Sequence, residues 1–368
     1  MQLKEYQRNE VDWKSGTNDN QEKKLKTAKS FLYKMLGLSQ GFIQDKDIIE
    51  IGCSDALVGE LMMDWDCSSF TGVEGLEKSA DLARARLSKH NGQSVYEIIC
   101  DDAWSHRFPS QFDLLIYEGG DSVHSNLESM VSLCKANGYI LLGNNCAESM
   151  VAELSRRLLV VAAEISADRQ NLHDLVRLFE PELEFLTGMG MTKTHELWVQ
   201  DHIVCKLHDQ FITRPRDLIR DPRFEVMGLY PTPFPLLQWY KEVYSIDKQR
   251  EYWLDGWMHF GWNLIDSRIK QPERLERQTA LSVKASCNGI CDAAIRIFDS
   301  SGTQQEELLA RSATDFLALS DLLSDAAPET AKACGKMSLI LKGQADFQCR
   351  DVQWIGRSQY FLLLRRIS

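Results

Sequence analysis

The stretch DIIEIGCSDALVGELMMDW, residues 47 to 65, constrains the fold more than any other part of the chain. Its first half, Asp47 to Cys53, is apolar and β-branched at Ile48, Ile49 and Ile51, which suits a strand buried on both faces inside a parallel sheet. After Gly52, Cys53, Ser54, Asp55 and Ala56 the period changes, and Leu57, Leu61 and Met62 recur at helical spacing. A strand that feeds a helix through a small-residue turn is the repeating unit of an α/β sheet. Small ligands bind outside the carboxyl ends of such strands.

The unit recurs downstream. Ser69 to Glu74, Tyr96 to Cys100, Phe112 to Tyr117 and Tyr139 to Leu142 read as further strands, with helical stretches such as LEKSADLARARLSKH and SNLESMVSLCKA between them. The spacing predicts an α/β fold: a doubly wound, mainly parallel, Rossmann-like sheet with a mostly helical C-terminal region. Ahead of the first strand, KKLKTAKSFLYKMLGL places Ala28, Phe31, Leu32, Met35 and Leu36 on one helical face. The polar residues before it read as a mobile segment. HELWVQDHIVCKL fits either a sixth strand or a helix. Beyond about residue 245 the pattern is mostly helical, with one stripe of Val283, Cys287, Ile290, Ala294 and Ile297 and another of Leu309, Ala313, Phe316 and Leu323, while the end after Gly356 has a strand-like composition. The expected division is a polar segment at 1–25, an α/β domain at 26–205 and a mostly helical region at 206–368, with the helix-breaking Pro231, Pro233 and Pro235 offering another place for the boundary.

A formal charge of −11 argues against nucleic acid as a partner, because phosphate binding draws on Lys and Arg. Ten cysteines without CxxC pairs or metal-ligand spacing indicate a reducing, cytoplasmic setting and argue against a zinc site. The opening residues are polar and the apolar runs too short to span a bilayer, so no membrane partner is expected.

Acids stand at three successive strand ends: Glu74 closes FTGVEG, 24 positions after Glu50, and Asp101 with Asp102 closes the third strand, followed by Trp104. Glu74 falls about where a nucleotide-binding α/β unit puts the carboxylate that meets ribose hydroxyls. The segments EIGCSDA, VEG, CDDAW and FDLLIYEGG, in that order and at those intervals, resemble the class I S-adenosylmethionine-dependent methyltransferases over roughly residues 26 to 145. The resemblance implies S-adenosylmethionine as cofactor, with Glu50, Gly52, Cys53 and Ser54 at its methionine end, Glu74 on the ribose, Asp102 with Asp101 or Ala103 at the adenine, and Tyr117, Glu118 and Gly119 bordering the methyl. Ser54 and Ala56 stand where that family often has glycine, so side chains narrow the turn. A dinucleotide-dependent oxidoreductase needs G-x-G-x-x-G, and GCSDAL lacks it.

Methyl transfer to a hydroxyl needs alignment and assisted proton removal. His124, in the loop after the fourth strand, is the first candidate base, followed by His195 and His202. Glu118, Asn144 and Asn145, with Asp121, fall where catechol O-methyltransferase-like enzymes hold magnesium. One carboxylate and two neutral amides offer a divalent metal little charge, so no metal site is assigned. HELWVQDHIVCKL, LLQWYKEVY, NLIDSRI and WIGRSQYFLLL resemble segments downstream of the methyltransferase core in bacterial polysaccharide or small-molecule biosynthesis proteins, which implies a cap that binds the acceptor. Trp198, Trp239, Tyr240, Trp253, Trp257 and Trp262 read mainly as core aromatics, with one or two expected to face a pocket. The expected activity is O-methylation of a small polar acceptor. A noncatalytic binding protein on the same fold is the alternative.

Overall fold

A computed structural model describes residues 19–119, 123–165, 167, 169–188, 191, 193–205, 212–235, 239–347, 356–357 and 359–367. The polar segment expected at the amino end lies outside these up to residue 18. Helix α1 (Asp19–Met35) and a short α2 (Gln40–Ile43) lead into β1 (Asp47–Ile51), α3 (Leu57–Asp64), β2 (Ser69–Glu74), α4 (Glu77–Leu87), β3 (Val95–Cys100), β4 (Phe112–Glu118), α5 (Val123–Leu133) and β5 (Cys134–Asn144). Then come α6 (Ala147–Ala162), α7 (Leu172–Gly188), α8 (His195–Val199) running into a π-turn at Gln200–Val204, α9 (Pro215–Arg220) and β6 (Phe224–Tyr230). The chain continues through α10 (Ile246–Phe260), α11 (Arg277–Arg296), α12 (Thr303–Leu322) and α13 (Pro328–Leu341), and β7 (Tyr360–Arg366) lies near its end.

Seven strands lie in the order β3-β2-β1-β4-β5-β7-β6. The first five are parallel, and β7 runs antiparallel to both neighbours. This is the doubly wound, mainly parallel sheet that the sequence predicts. Strand periodicity divides its side chains between two cores. Ile49, Ile51, Leu115, Tyr117, Ile140 and Leu142 face one way, against Leu127 and Met130 of α5 and Trp253 and Trp257 of α10. Ile48, Leu114, Ile116 and Leu141 face the other, against Leu32, Tyr33 and Leu36 of α1 and Leu61 and Met62 of α3. A third core joins α6, α7, α11, α12 and α13, and the predicted stripe Val283, Cys287, Ile290, Ala294 and Ile297 is buried in it.

One open choice is settled and two expectations need correction. HELWVQDHIVCKL is helical through Val204, because Leu197, Trp198, Val199 and Ile203 bury one face against α6 and α7. On α1, Phe31 and Met35 are exposed at 54% and 55%, and the buried face is Leu32, Tyr33 and Leu36. Both stripes have the same helical period, and docking on the sheet selects the second. β6 was not expected, and it and β7 come from beyond residue 205, so the predicted division at 205/206 runs through the sheet.

Candidate functional site at the strand ends

After β3 the chain crosses to the far side of β1 to lay down β4, so strand order reverses between β1 and β4 and their carboxyl ends open a crevice. Two left-handed glycines stand at its mouth, Gly52 after β1 (φ 75°) and Gly119 after β4 (φ 97°). A Cβ added to Gly52 would come within 3.8 Å of the Gly119 carbonyl oxygen. The left-handed backbone continues at Ser54 (φ 51°) and Ala56 (φ 56°). These are the positions where glycine was expected, and each costs an L-residue about 1–2 kcal/mol.

Glu74 fastens this turn. Its Oε2 accepts the Ser54 N–H at 2.9 Å and its Oε1 accepts the Leu76 N–H at 3.0 Å, tying the loop after β1 to the end of β2. The carboxylate retains acceptor capacity for a ligand hydroxyl. Burial raises the Glu74 pKa, while the N–H groups of Leu76, Ser54 and Gly75 act against that rise.

Glu50 is 5% exposed and its Oε2 has no hydrogen-bond partner. Burial first, and the Glu118 charge next, hold its carboxyl well above the usual range; Lys29 opposes the shift and Glu74 adds to it. Across the crevice, Glu118 pairs with the Lys29 ammonium and accepts the Tyr33 hydroxyl at 2.5 Å. Tyr33 is fully buried, and burial, then Glu118 and Glu50, push its pKa well above the phenol value, so it remains a donor. Three carboxyl groups therefore meet at the ends of β1, β2 and β4.

The third strand contributes a wall. Asp101 and Asp102 are exposed. Asp101 accepts the Asp102 N–H at 2.8 Å and meets His106 at 2.9 Å, and that His106 contact holds its carboxyl below the ordinary value. Asp102 accepts the Trp104 N–H at 3.1 Å. Trp104 packs edge-on to Tyr117 at 5.6 Å between centroids, and Ala103 lies beside them against the same core. Cys53 is 3% exposed and packs in the opposite core with Val58, Phe70 and Ile98, and its thiol reaches the Ser54 carbonyl at 4.0 Å.

The three candidate histidines sit apart from one another. His124 is exposed in the first turn of α5, and its Nε2 accepts the Arg214 backbone N–H at 3.4 Å. His195 starts α8 and meets the Thr187 hydroxyl at 3.1 Å. His202 meets Glu153 at 2.7 Å and Asp201 at 3.3 Å and stacks on Trp198, in the helical layer. Asp121 lies outside the described residues, and among those described no group of three or more His, Cys, Asp or Glu could hold a metal ion.

An adenosyl sulfonium cofactor with an amino-acid tail fits what is present. The partnerless oxygen of Glu50 suits its ammonium, Glu74 suits ribose hydroxyls, and the glycine mouth admits backbone close to a ligand. The sequence reading missed Lys29 and Tyr33. Their i, i+4 spacing beside Leu32 and Leu36 was the available signal, masked by the competing stripe.

No protein-family profile matches the chain, and no curated protein matches it. Among solved structures it is similar to the N-methyltransferase NodS from Bradyrhizobium japonicum in complex with S-adenosyl-L-homocysteine, at 17% identity and TM-score 0.30, over 40% of this chain and 72% of that one. It is similar to PKMT2 from Rickettsia typhi in complex with AdoHcy, at 14% identity and TM-score 0.42, over 61% of this chain and 49% of that one. A third is an S-adenosylmethionine-dependent methyltransferase from Mesorhizobium loti, at 16% identity and TM-score 0.26, over 31% of this chain and 57% of that one. Two of these solved structures are described as methyltransferases, and two hold S-adenosylhomocysteine. The chain spans about half the length of two of the three. Among the described residues, no helix is long and apolar enough to cross a membrane.

Proposed function

We propose that this protein is an S-adenosylmethionine-dependent methyltransferase acting on a hydroxyl of a small polar acceptor. One observation carries the reading: a buried carboxyl with a free oxygen, Glu50, lies at the strand-order reversal beside Glu74 and Glu118. A cationic ligand relieves the repulsion among these groups, and a phosphate-bearing dinucleotide aggravates it. When bound, the cofactor supplies an electrophilic methyl group. Glu50 would hold its ammonium, Glu74 its ribose, and Asp102, Ala103 and Trp104 its adenine, with Tyr117, Glu118 and Gly119 lining the methyl side. Orienting the two reactants is the larger contribution, since effective molarities reach about 10⁵–10⁸ M while a general base gives about 10²–10⁴-fold.

His124 is the base we propose, since α5 begins five positions after β4 ends. To act, its Nε2 must leave the Arg214 amide. His124→Ala with turnover within a few-fold of wild type removes it from the mechanism. A noncatalytic binding protein draws support from one observation, the occupation of Glu118 by Lys29 and Tyr33. Calorimetry with S-adenosylmethionine tests the main reading, because no heat at about millimolar cofactor, a free energy near −4 kcal/mol, overturns it.

A further inference from the structure

Away from the acidic crevice, a small opening lies beside the carboxyl end of β5, lined by Glu148, Arg216, Trp257, Trp262, Val283 and Lys284, among others. Its place on the fold links it to the crevice. Glu148 is in the first turn of α6, four residues after Asn144 ends β5, and Glu118 at the end of β4 pairs in register with Gly143. The Trp257 ring lies 5.3 Å from that of Tyr360, which pairs with Asn144.

The charge here is opposite to that of the crevice. Arg216 lies in the field of two further guanidinium groups, Arg220 and Arg277, with Asp217 the opposing charge. The Arg216 Nε is buried with no hydrogen-bond partner. The same holds for the indole N–H of Trp257, a residue only 2% exposed. Lys284 adds a fourth cation from α11. A buried N–H without an acceptor costs about 1–3 kcal/mol, and repelling guanidinium groups add to that cost, so the arrangement calls for an anion that brings acceptor oxygens. Trp257 and Trp262 add apolar lining, and Glu148 offers an acceptor for a hydroxyl or amine on the same molecule.

We propose that this opening binds a carboxylate or phosphate group of a small molecule, the anion resting on Arg216, Lys284 and the Trp257 N–H. The assignment of that molecule as the methyl acceptor rests on the methyltransferase reading; the anion site itself does not.

Inorganic phosphate and benzoate, titrated separately and followed by calorimetry, test it on the full chain, on Arg216→Gln and on Lys284→Gln. Wild type binds at least one probe with a dissociation constant below about 10 mM, and each substitution weakens that binding about tenfold, the loss of one charge-assisted contact. Phosphate alone points to a phosphorylated molecule and benzoate alone to a carboxylate. No binding of either probe by wild type, or equal binding by wild type and both variants, overturns the proposal. The two variants use different elements, so misfolding of one leaves the other as the test. In the same samples S-adenosylmethionine affinity stays within about twofold of wild type, a change of about 0.4 kcal/mol. A chain that binds the anion and no cofactor sinks the methyltransferase reading and spares the site.

Discussion

Replacing Glu50 with Gln separates two consequences of one buried carboxyl. In the free protein its Oε2 has no partner, the side chain is 5% exposed, and burial with the Glu118 charge holds its pKa well above the usual range. Such a group keeps its proton longer in the folded state than in the unfolded one. Its contribution is therefore favourable below the ordinary carboxylate range and is lost as pH rises toward the folded value. Gln does not titrate, so Glu50→Gln is more resistant to urea than wild type near pH 7, and the difference shrinks toward pH 4. For cofactor binding the sign reverses. A charge-assisted hydrogen bond from an ammonium to a carboxylate contributes about 1.5–3 kcal/mol. Losing it weakens S-adenosylmethionine affinity by about 10- to 150-fold. Calorimetry gives the affinity and urea titration at several pH values gives the stability. A variant that binds the cofactor within twofold of wild type refutes the assignment of Glu50 to the cationic end. A variant less stable than wild type at pH 7 refutes the account of the unpartnered oxygen.

Further outcomes follow from the same geometry. Glu50 gives up its proton when a cation arrives, so S-adenosylmethionine affinity rises with pH above the ordinary carboxylate range, and binding heats differ between buffers of different ionisation enthalpy; buffer-independent heats contradict this. Lys29→Met removes the positive charge paired with Glu118, so the crevice becomes more negative and cofactor affinity rises several-fold by calorimetry. Weaker binding assigns Lys29 to the cofactor carboxylate instead. Ala56→Gly relieves a left-handed backbone at φ 56°, and urea unfolding shows about 1 kcal/mol of added stability.

The sheet was readable because its strands are local signals. Ile48, Ile49 and Ile51 sit in one short run, β2 ends at Glu74 as expected, and the run after Gly356 becomes β7. β6 was not readable: FEVMGLY gains its place by pairing with β7, well over 100 residues away, and no local pattern announces that partner. The face of α1 was ambiguous because two stripes share a period. Tyr33 is buried because it reaches Glu118, a contact 85 positions away. In the crevice, Glu50, Glu74 and Glu118 were legible as acids at strand ends, since topology alone brings those ends together. The basic opening was invisible because Glu148, Arg216, Trp257 and Lys284 come from four helices that converge only on folding. Trp198, Trp253, Trp257 and Trp262 are buried, as the core reading of these aromatics expects, while Trp239 and Tyr240 are exposed.

Hydrogen–deuterium exchange of the protein with and without S-adenosylmethionine addresses the central claim most directly, since it reports where on the chain the cofactor rests. Slower exchange in the turn from Gly52 to Ala56, around Glu74 to Leu76 and around Asp101 to Ser105, with the helical layer of α12 and α13 unchanged, is the predicted pattern. Unchanged exchange across those three segments at saturating cofactor, or protection confined to the helical layer, contradicts it.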